Sequence, residues 1–158
     1  MTKVTKEADL PFSCKELFNA VADYEKFPQI FPTIRTAKIV AQAPGSKDVE
    51  MAFKVPPAIS AFLSSTSQTV RATSTPDSDI KLHSIGGALK SMDIHWTFNE
   101  VSPGKTHVTF EMDYDTGMSA AVNGTVKIFI NRSTKDIMDN LADHVRNQAP
   151  KGPTAPNP

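Results

Sequence analysis

Two spacings of apolar residues divide the chain. Met92, Ile94, Trp96 and Phe98 alternate with Asp93, His95, Thr97 and Asn99. After Ser102-Pro103-Gly104-Lys105, Val108, Phe110, Met112 and Tyr114 alternate with His107, Thr109, Glu111 and Asp113. A period of two on both sides of a Pro-Gly turn predicts an antiparallel hairpin with one apolar face. A one-residue slip of either strand would put its large apolar groups in water, so the register is well specified. Shorter or weaker runs predict strands at Val4–Leu10, Ile34–Ala41, Val49–Val55, Ser65–Ser74 and Ile80–Ile85, with turns at Ala43–Ser46 and Thr75–Asp79.

The second spacing is helical. Ser13 stands three residues before Glu16, a capping-box pair, and Leu17, Phe18, Val21 and Ala22 follow on one side. Tyr24–Phe31 predicts a second short helix, interrupted by Pro28 and stopped by Pro32. From Asn123 to Gln148, Val126, Phe129, Ile130, Ile137, Leu141 and Val145 recur at steps of three and four, and Pro150 ends the run. At about 1.5 Å per residue this helix is roughly 35–40 Å long, enough to cross a whole sheet. The order is strand, two short helices, six strands, long helix. That predicts an α+β fold: an antiparallel sheet of about seven strands whose apolar face is covered by the C-terminal helix. Residues 1–148 form one domain in this reading, and 149–158 a proline-rich tail outside it.

Composition narrows the function. Seventeen Lys and Arg balance seventeen Asp and Glu in 158 residues, so binding to nucleic acid by bulk positive charge is excluded. The one cysteine, Cys14, cannot form an internal disulfide, and its place in a first helical turn is that of an inert helix-start residue. A reducing, cytoplasmic setting is expected, and the N-terminus lacks the apolar stretch of a secretory signal. His83, His95, His107 and His144 are scattered, and no nucleophile triad or phosphate-binding glycine loop occurs. No metal and no cofactor are expected.

Phe18-Asn19-Ala20-Val21-Ala22-Asp23-Tyr24-Glu25-Lys26-Phe27-Pro28-Gln29-Ile30-Phe31-Pro32 resembles the opening helices of the polyketide cyclase and coenzyme Q-binding branch of the START-like superfamily. Gly86-Gly87-Ala88-Leu89-Lys90-Ser91-Met92, followed by Trp96-Thr97-Phe98, is similar to that branch's glycine turn and its Trp-x-Phe strand. The resemblance covers roughly residues 3 to 147. It implies the helix-grip fold, a curved sheet wrapped around the long helix, with a hydrophobic cavity between them. The residues expected to line such a cavity are Phe27 and Phe31 from the short helix. From the sheet they are Phe53, Trp96, Phe98, Phe110, Met112 and Tyr114, and from the long helix Ile130, Ile137 and Leu141. For any one of them, plain core packing is the competing reading.

Val55-Pro56-Pro57-Ala58-Ile59-Ser60-Ala61-Phe62-Leu63 joins two strands yet is mostly apolar, whereas loops ordinarily lie in water. It is either a lid, with Pro57, Ile59, Phe62 and Leu63 at the cavity entrance, or a short helix packed on the core. The expected function is non-enzymatic binding or transport of a hydrophobic small molecule, an isoprenoid quinone or another lipid. The lid would contact a membrane surface, at its inner face. Two alternatives stay open. A cyclase or aromatase needs a polar group in the cavity, with Arg71 and Tyr114 the first candidates. A ribosome-interacting, toxin-like protein, a kind also present in the branch, needs a contiguous surface patch. Oligomeric state is left open.

Overall fold

Strand β1 (Thr2–Leu10) runs along one edge of a seven-stranded antiparallel sheet. The structure is a computed structural model that describes residues 2–63 and 65–148; the expected tail at 149–158 lies outside the described residues. After Pro11 the chain leaves the sheet. Ser13 caps α1 (Cys14–Ala22) reciprocally: its Oγ accepts from the Glu16 amide at 3.1 Å, and Glu16 Oε1 accepts from the Ser13 amide at 3.1 Å. Leu17, Phe18, Ala20 and Val21 form the buried side of α1. The expected second helix is a 3-10 turn (Tyr24–Lys26) running into α2 (Phe27–Ile30), with Phe27, Ile30 and Phe31 buried.

These helices carry the chain to the opposite edge, where β2 (Ile34–Ala43) begins. Glu25 holds the crossing in place by accepting from the Ile39 amide at 2.9 Å, which satisfies one donor of the edge strand. From there the chain meanders back through β3 (Ser46–Phe53), β4 (Ser67–Thr75), β5 (Asp79–Gly87), β6 (Ser91–Ser102) and β7 (Lys105–Asp115), which pairs with β1. The hairpin register is the one its alternation demands: Trp96 faces Phe110, Ile94 faces Met112 and Met92 faces Tyr114. Register shifts in the β2–β3, β4–β5 and β6–β7 pairs insert extra residues, and such bulges increase twist and bend strands. They account for a sheet that curves around a helix.

A short helix, α3 (Pro57–Ser60), occupies the apolar connection between β3 and β4. Val55, read from the sequence as the last inward residue of β3, falls just beyond it in this connection. The C-terminal helix is present in two segments, α4 (Ala120–Thr134) and α5 (Ile137–Gln148). The break follows two consecutive hydroxyl residues. Ser133 Oγ donates to the Phe129 carbonyl at 2.8 Å and Thr134 Oγ1 to the Ile130 carbonyl at 2.9 Å. Bonds of this kind compete with the helical ladder and bend it. α5 packs on α1, α2 and β1, and α3 packs on α4.

Candidate functional site

Between the concave face of the sheet and the C-terminal helix lies a cavity of about 140 Å³. Its floor is aromatic. The Trp96 ring lies 5.9 Å from Phe31 and 4.9 Å from Phe110, centroid to centroid, and all three line the cavity. Met51, Phe53, Leu82, Met92, Ile94 and Met112 add the sheet wall, and Val126, Phe129, Ile130 and Ile137 the helix wall. Val55, Ile59 and Leu63 from the β3–β4 connection and Ala88 and Leu89 from the β5–β6 connection complete the lining of a space that is partly open to solvent. An apolar cavity of roughly 150 Å³ stays dry and accommodates a benzene-sized guest. The space is therefore that of one ring.

Among the described residues, no Asp, Glu, Lys, Arg or His lines this cavity; its polar members are Thr33, Thr66, Gln68, Ser133 and Thr134. Ser133 and Thr134 are turned back onto their own helix. Gln68 is 1% exposed, with Nε2 donating to the Gly86 carbonyl and Oε1 accepting from the Leu89 amide, both at 2.9 Å. It thereby fastens the β5–β6 connection to the cavity wall. Gly87 makes that approach feasible. Its φ is +132°, and a Cβ there would stand 2.5 Å from the Ser67 carbonyl oxygen.

Of the residues expected from the sequence, Phe27, Phe31, Phe53, Trp96, Phe110, Met112, Ile130 and Ile137 surround this one space. Phe98, Tyr114 and Leu141 do not line it. Phe98 packs edge-on to Phe18 and parallel to Trp96, filling the end of the sheet under α1. Leu141 is fully buried in α5, beyond the helix break. Tyr114 instead borders a smaller polar recess with Thr2, Asp115, Thr116, Asn123, Gly124 and Lys127, and burial pushes its phenol above the usual range. Within the apolar connection, Ile59 and Leu63 line the cavity, whereas Pro57 and Phe62 do not, and Phe62 is 63% exposed. The segment is a short helix packed on the core through Ile59, with Phe62 left in solvent.

Arg71, the cationic candidate for a catalytic role, points away from the cavity. Its Nε and Nη2 meet the Asp48 carboxylate at 2.9 and 3.1 Å on the outer face of the sheet. That face also carries His83 beside Asp93, His95 beside Asp79, and His107 held between Asp9 and Glu7. The two carboxylates, Asp9 first, keep the His107 imidazolium charged above its ordinary pKa. Met51, Leu82, Leu89, Val126 and Phe129 are lining residues that the sequence reading did not single out for the cavity, and Gln68 is the polar one held by hydrogen bonds to a neighbouring strand and connection. Its signal was parity: it lies in phase with Val70 and Ala72, and all three are buried on β4.

The family profile described as polyketide cyclase / dehydrase and lipid transport matches residues 10–142. The chain belongs to that family. The resemblance to polyketide cyclases read from the opening helices and the Trp-x-Phe strand is borne out by this match. In sequence, the chain is similar to the ribosome association toxin RatA of Escherichia coli K12, at 22% identity over 141 residues, 89% of this chain and 82% of the relative. In structure, it is similar to the ZhuI aromatase/cyclase of Streptomyces sp. R1128. That match has a TM-score of 0.81 and 14% identity, covering 96% of this chain and 98% of the other. A STAR-related lipid transfer protein from Xanthomonas axonopodis matches with a TM-score of 0.71 and 13% identity, covering 91% and 85%. These structural likenesses establish the helix-grip fold. Among the described residues, no helix is long and apolar enough to cross a membrane.

Proposed function

We propose that the protein binds an apolar small molecule in the cavity beneath its C-terminal helix and carries it without transforming it. The observation that supports this most is the lining itself: a ring-sized hollow walled by aromatic and aliphatic side chains, with no ionisable group among the described residues. Acid–base cyclisation needs a proton donor or acceptor within reach of the substrate. Arg71 is committed to Asp48 on the far face, and Tyr114 faces a different recess. Burial of the guest, at roughly 25 cal/mol per Å², supplies the affinity.

An isoprenoid quinone or a comparable lipid fits in part. Its ring would occupy the cavity, and its chain would leave past Ile59, Leu63 and Leu89. Pro57, Ile59, Phe62 and Leu63 act as the gate in this account. The exposed Phe62 touches the membrane surface from which the guest is taken, at the inner face of a cytoplasmic membrane. Organic extraction of the purified chain, followed by mass spectrometry, tests the proposal. A neutral apolar molecule recovered in stoichiometric amount is expected. A chain that carries nothing, and gains no thermal stability from any quinone, sterol or hydrocarbon, contradicts it.

The likeness to RatA favours a second reading, in which the protein acts on ribosomes through its surface. Sedimentation with ribosomal subunits separates the two. Co-migration of ligand-free protein with a subunit supports the second reading, and its absence supports the carrier.

A further inference from the structure

The geometry points to a specific class of guest, with Gln68 as the residue that selects it: an uncharged molecule of one-ring cross-section presenting a single carbonyl or hydroxyl oxygen to the Gln68 side chain. This rests on the carrier reading and narrows it. A primary amide has two N–H donors and two acceptor lone pairs. Gln68 spends one donor on the Gly86 carbonyl and one lone pair on the Leu89 amide. Among the described residues, one N–H and one lone pair remain without a partner on a side chain that is 1% exposed and borders the cavity. Backbone bonds on both sides hold the amide plane in place.

The rest of the lining sets the other half of the selection. A carboxylate or phosphate entering the cavity would lose its water without meeting a cation, since no Lys, Arg or His lines it among the described residues. Burial of an unpaired charge is strongly unfavourable, far more so than burial of a neutral polar group that finds one partner. The hydroxyls of Ser133 and Thr134 already donate to helix carbonyls, so neither donor is free for an anion. The site therefore accepts a ketone, quinone or alcohol and rejects an acid of the same shape.

Three ligands of nearly one shape test this: ethylbenzene, acetophenone and benzoate. Trp96 is the only tryptophan in the chain and lines the cavity, so its indole N–H resonance reports occupancy. At pH 8, acetophenone is expected to bind within about threefold of ethylbenzene, because the Gln68 amide replaces the water its carbonyl loses. Benzoate is expected to bind at least about tenfold more weakly than acetophenone. In Gln68→Met, which also frees the Gly86 carbonyl and the Leu89 amide, the ratio of acetophenone to ethylbenzene affinity is expected to fall at least about tenfold, whatever the change in hydrocarbon binding itself. Benzoate binding as tightly as acetophenone overturns the neutral-guest inference. Acetophenone already tenfold weaker than ethylbenzene in the unmodified chain overturns the role of Gln68, whether or not the variant folds. If none of the three shifts the Trp96 signal, the carrier reading itself fails, an outcome distinct from either.

Discussion

Trp96 is 2% exposed, and its ring contacts Phe31, Phe98 and Phe110. It is at once a core residue and a cavity wall. Trp96→Ala removes the largest apolar group at that junction and enlarges an existing void into which little can collapse. The expected loss is about 3–5 kcal/mol, measured by urea unfolding. A second residue, His107, carries a pH signature. Asp9 and Glu7 raise its folded-state pKa, so its contribution to stability is complete below about 6.5, the unfolded value. That contribution fades as pH rises through the raised folded value. His107→Gln should therefore destabilise most near about pH 6, and its melting-temperature gap from the parent should close toward about pH 9. A gap that widens with pH contradicts the pairing.

At the scale of elements, the β6–β7 hairpin was the most legible part of the chain, because four alternating apolar residues on each strand leave only one register with a dry face. The capping box at Ser13 was equally legible, being a local pair of side chains. Ser13→Ala should lower stability by about 1 kcal/mol. The break between α4 and α5 was not legible. The apolar stripe lapses there, Ser133 and Thr134 standing between Ile130 and Ile137, yet the seven-residue step keeps to one helical face, and two adjacent hydroxyl residues bond backward only if packing leaves them that geometry. Arg71 was ambiguous for a related reason: β4 is so rich in Ser and Thr that parity alone gave little contrast, and the sheet face was decided by burial of Gln68, Val70 and Ala72. The β4–β5 crossing offers a strict test. Gly87→Ala forces a side chain against the Ser67 carbonyl and the Gln68 backbone at a positive φ, with both obstacles main-chain atoms. A loss of about 1–3 kcal/mol in unfolding free energy is expected, with the β5–β6 connection gaining amide-exchange rate.

For the whole molecule, the question is whether the covered face of the sheet is a core or a container. The sequence pattern named the aromatic and aliphatic side chains that face inward but not how much space they leave, since that depends on how the helix is held off the sheet. Phe98 and Leu141 show the limit: both face inward, and both are spent on packing. Differential scanning calorimetry of the lipid-free chain with ethylbenzene, run alongside Ile94→Trp, settles the matter most directly. Ile94 is a cavity-wall residue, and a tryptophan there occupies the hollow instead of crowding a filled core. At about ten times its Kd, the hydrocarbon should stabilise the parent by about 1.4 kcal/mol, roughly a 3–6 °C rise in Tm. The folded Ile94→Trp variant should show no rise. A parent whose Tm does not move, or a variant that responds as strongly as the parent, would contradict the cavity as the binding site.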